Sequence, residues 1–314
     1  MMRTEVSRRR AWLMAARPQT LPAGAAPVIV GVAVALWLDL AAVGPAVAAL
    51  VGALLIQIGT NFANDYHDGV RGVDAAREDG YTRVTQSGLI PAHRVKAAAL
   101  ATYGLALLVG GYLVYVGGVP ILVIGLASLI SGYAYAGGPY PLGSHGLGDL
   151  FVFVFFGVIA VTGTVYVQAV ASLGVLTPVG VPAGTVPLEA LVASLPMAAL
   201  STNVLVVNNV RDLESDRAAG KHTLAVLIGY RLSRIEFLLM MVVSYLVPVV
   251  FWLGVGVEPA GIGALLPLVT LPYGLVITNT VWTHTDGDAL NPALERTGKL
   301  LLAYAVTFAV GLLV

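Results

Sequence analysis

Long apolar stretches, separated by short charged or Gly- and Pro-rich segments, make up most of this chain. A helix needs about 20 mostly apolar residues to cross the hydrocarbon core of a bilayer, so each stretch of this length predicts a spanning helix. The pattern predicts an all-α membrane protein with a single domain, residues 1–314, and nine transmembrane helices. They are expected near residues 21–42, 46–64, 96–116, 119–136, 148–172, 187–209, 235–255, 260–282 and 299–314.

The positions of the basic residues predict the orientation of these helices. If the N-terminus is cytoplasmic, all 17 Lys and Arg residues fall in the N-terminal tail or in the loops and helix ends of that same side. Cytoplasmic segments of membrane proteins carry this excess of positive charge. Eight or ten helices would instead place Arg296 and Lys299 outside. We therefore expect nine helices in a prokaryotic-type cell membrane, with the N-terminus in the cytoplasm.

The composition narrows the possible chemistry. Hydrophobic residues make up 58% of the chain and charged residues only 11%, against about a quarter charged in soluble domains, so lipid is the expected surrounding. The chain has no cysteine, which excludes thiolate metal sites and cysteine nucleophiles. A metal would need oxygen or imidazole ligands, which favours Mg²⁺ over zinc. The net charge of zero gives no reason to expect a nucleic acid partner.

Acidic residues gather in two predicted inner segments, 61–94 and 208–233. Each segment follows an even-numbered predicted helix, the second and the sixth, which suggests a pseudo-repeat. Residues three, four or seven apart share one face of a helix. In the first segment this face contains Asn61, Asn64 or Asp65, and Asp68; in the second it contains Asn208, Asp212 and Asp216.

Two carboxylate faces that meet in one central cavity would repel each other. Two charges about 4 Å apart in a partly shielded site interact by roughly 4 kcal/mol. Divalent cations remove this repulsion, and Mg²⁺ commonly joins one or two carboxylates to the phosphates of a substrate. The two motifs therefore predict a site on the cytoplasmic side for Mg²⁺ and a diphosphate. Among the cations nearby, we expect Arg17, Arg83 and Lys221 to neutralise the diphosphate.

Solvated acids at helix ends are the simpler alternative. Acids at a helix C-terminus oppose the helix dipole, and ionisable groups at the ends of apolar helices usually serve a function. A bound ligand therefore explains the two paired patterns better than solvation does.

In both motifs the chain resembles the UbiA-type family of intramembrane prenyltransferases. The first motif is similar to the family pattern NDxxDxxxD through Asn64, Asp65 and Asp68, but Asp74 follows Asp68 by six residues instead of four. The second motif is similar to the family's DxxxD element and contains Asp212, Asp216, Gly220 and Thr223. The resemblance covers nearly the whole chain and implies nine helices around a central cavity that opens to lipid.

Further sequence blocks resemble the MenA-like branch, which prenylates 1,4-dihydroxy-2-naphthoate. The sequence between residues 140 and 145, YPLGSH, lacks the Lys-Arg pair of the YPxxKR element found in benzoate-directed relatives. The blocks that resemble the naphthoate branch are ARPQTLP (16–22), NxxNDYxDGxxGxD (61–74), RxxQSG (83–88), GLGD (146–149) and NNxRDxESDRxAGKxTLA (208–225).

This resemblance implies Mg²⁺-dependent transfer of a polyprenyl group from polyprenyl diphosphate to 1,4-dihydroxy-2-naphthoate, with loss of CO₂ and diphosphate. The product would be demethylmenaquinol, an intermediate of menaquinone biosynthesis. The implied catalytic residues are Asp65, Asp68, Asp212 and Asp216, which with Asn64 would also bind the metal. The implied substrate-binding residues are Arg17, Asn61, Asn64, Tyr66, Arg83, Gln86, Asn208 and Lys221.

Other functions remain open at this point. The same family includes enzymes that would use 4-hydroxybenzoate, homogentisate, a tetrapyrrole or a glycerol-phosphate lipid as the acceptor. A transporter would also carry intramembrane acids, although its acids would lie nearer the middle of the membrane than at one face. The expected partners are a polyprenyl diphosphate, an aromatic acid and the lipid bilayer. The sequence does not indicate an oligomeric state.

Overall fold

The computed structural model describes residues 6–71, 84–136 and 142–314, and all regular secondary structure in these ranges is helical. Asp74 of the first motif and Arg83, a predicted substrate-binding residue, lie outside them. The α-helices are α1 (Arg8–Ala16), α2 (Leu21–Trp37), α3 (Val43–Arg71), α4 (Ala92–Ala136), α5 (Gly148–Val152), α6 (Ala160–Ser172), α7 (Leu188–Ala218), α8 (Leu224–Leu253), α9 (Leu271–Thr283) and α10 (Gly287–Leu313). Three 3₁₀ segments (Pro18–Thr20, Leu142–Ser144 and Ile262–Thr270) and one π-helical segment (Phe153–Ile159) complete the described elements.

The all-helical membrane fold is confirmed in the described ranges. There, eight helical stretches are long and apolar enough to cross a membrane. These stretches are Arg8–Trp37, Val43–His67, Ala92–Ser131, Gly148–Ser172, Leu188–Ala218, Leu224–Leu253, Ile262–Thr283 and Gly287–Leu313.

Helix α4 explains the difference between eight stretches and nine predicted helices. As a straight rod its 45 residues would be about 67 Å long, twice the hydrocarbon thickness. Gly118 interrupts the rod with φ 66° and ψ −151°, a conformation that favours glycine. Beside it, the Val119 amide donates to the Pro178 carbonyl at 2.9 Å. The break lies between the predicted helices 96–116 and 119–136, and the count of nine, which requires α4 to be divided there, stays a prediction.

Both acidic motifs lie on helices. Helix α3 continues to Arg71 and α7 continues to Ala218, so each extends well past the predicted ends at residues 64 and 209. Hydropathy alone places these ends too early, because the polar residues of the motifs end the apolar stretch without ending the helix. The first described helix, α1, also lies within what the sequence treats as a basic tail.

The core is built around α7. This helix packs against α2, α8, α10 and the π-helical segment 153–159, and its residues Met197, Leu200 and Val207 are fully buried. The α3–α4 pair lies at the side of this core, and α4 exposes large apolar side chains such as Leu107 and Leu108. In a membrane such exposed apolar side chains face lipid.

A second, smaller cluster covers the end of α3 that carries the first motif. It joins α1, α3, the turn at residues 84–90 and the start of α4. Trp12 of α1 meets Phe62 of α3 edge to face, with ring centroids 5.7 Å apart. The start of the first motif, residues 61–66, therefore lies on a packed helix and not in a solvated loop.

Candidate active site

The second motif forms a network of charged and amide groups on the last turns of α7. The Arg211 guanidinium donates to both Asp212 carboxylate oxygens, each at 2.8 Å. The same guanidinium donates to Asn208 Oδ1 at 2.7 Å and to Asn291 Oδ1 on α10 at 2.9 Å. The side chains of Arg211 and Asp212 are only 18% and 15% exposed, so the network is partly shielded from solvent. Two residues of the predicted site, Asn208 and Asp212, are thereby brought together.

One turn further along α7, Asp216 contacts the predicted diphosphate cation Lys221. Lys221 Nζ lies 2.7 Å from Asp216 Oδ1, with the carboxylate buried and the lysine 45% exposed. The intervening turn contains Gly220 with φ 73°, and the Lys221 amide donates to the Asp216 carbonyl at 2.9 Å. The turn after α7 therefore brings Lys221 back into contact with Asp216.

The first motif uses two of its polar residues for contacts within the protein. The Asn61 amide group donates to the Ala16 carbonyl and to Thr20 Oγ1, both at 2.8 Å. The Asp65 carboxylate accepts from the amides of Val84 and Thr85, both at 3.0 Å. Sequence spacing predicts the shared face of these residues but not these partners. The predicted roles of Asn61 in substrate binding and of Asp65 in metal binding stay predictions.

Three other residues of the first motif lie on two faces of α3, with Asn64 and Asp68 on one face by their spacing and Tyr66 on the other. Asn64 is exposed, and Asp68 lies one helical turn further on, with its side chain outside the described structure. Tyr66 instead faces α4, where its ring lies 5.6 Å from Lys96 Nζ. It lines a cavity of about 330 Å³ formed by Ala63, Tyr66, His67, Lys96, Ala99, Leu100 and Tyr103. Among the described residues, those that line this cavity all belong to α3 and α4, and Tyr66 is not grouped with the second motif there.

Arg17, predicted to bind the diphosphate, adopts a left-handed conformation with φ 50° and ψ 69°. This conformation is rare for a residue other than glycine and is often found at functional sites. The Arg17 amide donates to the Leu13 carbonyl at 3.1 Å, and its own carbonyl accepts from the Thr20 amide at 2.9 Å. The backbone here therefore makes a sharp turn between α1 and α2.

Contacts at this turn connect the ends of α3 and α7. Asn61 of the first motif binds residues 16 and 20, the segment Pro18–Thr20 packs against α10, and Asn291 of α10 binds Arg211 beside the second motif. Through this series of contacts, the structure holds both motifs at the same end of the helical bundle. A central cavity shared by the motifs stays a prediction.

The oxygen ligands of the second motif fit the predicted metal. Asp212 and Asp216 are one turn apart, which puts their Cβ atoms about 6 Å from each other, and Asn208 adds an amide oxygen. Among the described residues, no three His, Asp or Glu side chains form a metal-binding cluster. Mg²⁺ does not require one, since it is commonly held by one or two carboxylates together with substrate phosphates and water.

Comparison with known proteins identifies relatives along nearly the whole chain. The model of the UbiA prenyltransferase family matches residues 25–309. The 1,4-dihydroxy-2-naphthoate octaprenyltransferase of Mycobacterium tuberculosis is 35% identical over 298 residues, covering 95% of each chain. The enzyme of the same name from Escherichia coli is 35% identical over 318 residues, covering 99% of this chain and 98% of its own.

Solved structures share the same fold. A UbiA homologue from Aeropyrum pernix, solved in its apo form, superimposes with a TM-score of 0.68 at 14% identity and covers 95% of this chain and 98% of its own. A UbiA homologue from Archaeoglobus fulgidus bound to GPP and Mg²⁺ has a TM-score of 0.56 at 17% identity, covering 96% of this chain and 100% of its own.

Proposed function

The chain belongs to the UbiA prenyltransferase family, and we propose from this premise that it transfers a polyprenyl group from polyprenyl diphosphate to 1,4-dihydroxy-2-naphthoate. Diphosphate and CO₂ are released and demethylmenaquinol is formed. Two full-length relatives that carry the name of this activity support the choice of acceptor. The observation that most directly supports this reaction is the array of acids and cations around Asp212 and Asp216 at the end of α7.

We assign the diphosphate to the space beside this array. Asp212, Asp216 and Asn208 would hold Mg²⁺ from α7, and Asn64 and Asp68 from α3. Mg²⁺ held there would supply positive charge that neutralises the departing diphosphate. The related structure that contains both GPP and Mg²⁺ supports the binding of a prenyl diphosphate together with this metal.

The cations of the chain stabilise the leaving group. As the allylic C–O bond breaks, its electron pair and negative charge move to the diphosphate. Donors already aimed at that position stabilise the transition state more than the ground state. Lys221, which is half exposed beside Asp216, has three N–H donors and can donate to Asp216 and to a phosphate oxygen at once. We assign the same role to Arg17 and Arg83.

The acceptor then reacts with the allylic cation. The ring carbon that carries the carboxylate of 1,4-dihydroxy-2-naphthoate forms the new C–C bond. Loss of CO₂ breaks the C–carboxylate bond and returns its electron pair to the ring, which restores aromaticity. Val206, Val207 and Val210 belong to the buried apolar core of α7 beside the motif, and such apolar surroundings would help to keep water away from a reactive cation.

An acceptor assay tests this proposal. Purified protein with Mg²⁺ and a labelled prenyl diphosphate is incubated with 1,4-dihydroxy-2-naphthoate or with 4-hydroxybenzoate. We expect a lipid-soluble labelled product and CO₂ with naphthoate only. A product with hydroxybenzoate only, or prenylated naphthoate that keeps its carboxylate, would contradict the proposed reaction.

We further propose that the N-terminus and the active site face the cytoplasm of a prokaryotic-type cell. The concentration of Lys and Arg at that side supports this orientation. The chain has no cysteine, so single cysteines can report the side of the membrane. We expect an impermeant maleimide to label Val179→Cys in intact cells and Arg9→Cys only after lysis. The opposite labelling pattern would show that the topology is the reverse of the one proposed. The wild-type chain is the unlabelled control.

A further inference from the structure

The backbone of the turn at residues 84–88 is hydrogen-bonded to a buried carboxylate of the first motif. Asp65 Oδ2 accepts from the Val84 amide and Oδ1 from the Thr85 amide, each at 3.0 Å. Asp65 is 1% exposed and Val84 is fully buried. Hydrogen bonds from amides to a carboxylate are stronger than those between neutral groups. Each Asp65 oxygen is therefore already engaged by the protein backbone.

Gly69 provides the second contact between α3 and this turn. It lies four residues after Asp65 and so on the same helical face. A Cβ at residue 69 would lie 2.6 Å from the Thr85 Cβ and 3.3 Å from the Gln86 amide nitrogen. Two carbon atoms prefer a separation of about 3.5–4.0 Å. The turn can therefore rest on α3 at this distance only because residue 69 has no side chain.

The turn is also ordered internally. The Gly88 amide donates to the Thr85 carbonyl at 3.2 Å, and the Ile90 amide donates to the Val84 carbonyl at 3.2 Å. Val84 and Ile90 are both buried in the cluster that covers the end of α3. The side chain of Gln86 is left exposed near the middle of the turn. Because these contacts hold both ends of the turn, the turn would keep Gln86 at a constant position beside the first motif.

We propose that Asp65 is a positioning residue and not a metal ligand: its carboxylate, with the gap at Gly69, fixes the 84–88 turn so that Gln86 can bind the diphosphate. This inference rests on the proposed function for its substrate. Both Asp65 oxygens accept from backbone amides of the turn and the residue is 1% exposed, whereas Mg²⁺ usually retains several waters, so this carboxylate is better placed to hold the turn than to bind a hydrated ion. The metal ligands on α3 are then Asn64 and Asp68.

Hydrogen exchange tests the attachment of the turn without any assay of activity. We expect the Val84 and Thr85 amides to be protected in the wild-type protein. Their exchange should become at least about tenfold faster in Asp65→Asn and in Gly69→Ala, because each change weakens the attachment. Gly104→Ala is the matched control, since a Cβ there meets nothing within 4 Å. Unchanged exchange in Asp65→Asn would overturn the proposal even if the enzyme has the proposed activity.

Kinetics then separates positioning from metal binding. If both residues act through the turn, each single substitution should raise the KM for prenyl diphosphate about tenfold, and the double variant should be no worse than either single variant. Metal binding by Asp65 predicts a different result, in which Asp65→Asn lowers kcat severely, Gly69→Ala has little effect and the two effects multiply. That result would overturn the proposal.

A compensating substitution covers the case in which Gly69→Ala does not fold. Replacing Thr85 by Gly removes the two carbon atoms that a Cβ at residue 69 would strike, at 2.6 and 2.7 Å. We expect Gly69→Ala/Thr85→Gly to recover the protein yield and the KM lost in Gly69→Ala. A double variant that remains as impaired as Gly69→Ala would show that the contact with Thr85 is not the reason for glycine at residue 69.

Discussion

Asp212→Asn is expected to lower kcat/KM for prenyl transfer by about a thousandfold or more, with normal insertion into the membrane. The substitution keeps the size of the side chain but removes the charge that pairs with Arg211 and that we propose binds Mg²⁺. Losing one preorganised electrostatic contact to the reacting groups typically costs two to three orders of magnitude. The measurement is the initial rate with labelled prenyl diphosphate and dihydroxynaphthoate at saturating Mg²⁺.

Glu214→Gln is the matched control for this prediction. It makes the same change in charge two residues away on the same helix, but Glu214 is exposed and pairs with Arg217. We expect its activity to stay within about twofold of the wild type, since exposed ion pairs contribute little. Equal loss of activity in both variants would indicate a general effect of charge at the end of α7, and full activity in Asp212→Asn would remove this residue from the site.

Arg211→Met is expected to lower both stability and activity. The arginine donates to Asn208, Asp212 and Asn291, and its loss leaves a partly buried carboxylate without its bidentate partner. Breaking a buried charge pair costs about 3–5 kcal/mol, and we expect about 2 kcal/mol here because the pair is not fully buried. The rate should fall about a hundredfold, because Asp212 loses the group that orients it.

Arg217→Met is the corresponding control. This arginine lies on the same helix, pairs with Glu214 and is 51% exposed, so its replacement should cost less than about 1 kcal/mol. Denaturation in mixed micelles gives the free energy of unfolding, and the prenyl transfer assay gives the rate. If the two arginine variants behave alike, the Arg211 network does not orient the site.

The membrane-spanning helices could be predicted because their signal is local. Residues 148–172, for example, are mostly apolar and form one continuous candidate span. The backbone break at Gly118 lies between residues 116 and 119, where Gly and Pro interrupt the apolar pattern. The ends of α3 and α7 could not be predicted in this way, because helical hydrogen bonding continues to Arg71 and Ala218 after the sequence has become polar.

The site was only partly predictable, because spacing along a helix defines a face but not the partner opposite it. The second motif does contain the predicted Asn208, Asp212, Asp216 and Lys221 in contact with cations or with each other. Asn291, which binds Arg211, gave no signal, since it lies 80 residues further along the chain. Asp65 matched the family pattern, yet its partners are backbone amides 19 and 20 residues later, and only the folded chain reveals them.

A structure determined with Mg²⁺ and a prenyl thiodiphosphate, whose sulfur-linked diphosphate is released only slowly, tests most directly whether the two motifs form one site. We expect metal ions on a single diphosphate, with Asp212 or Asp216 of α7 and Asp68 of α3 among their ligands. Lys221 should lie within hydrogen-bonding distance of a phosphate oxygen. A diphosphate held by one motif alone, with the other motif in a separate compartment, would contradict the account.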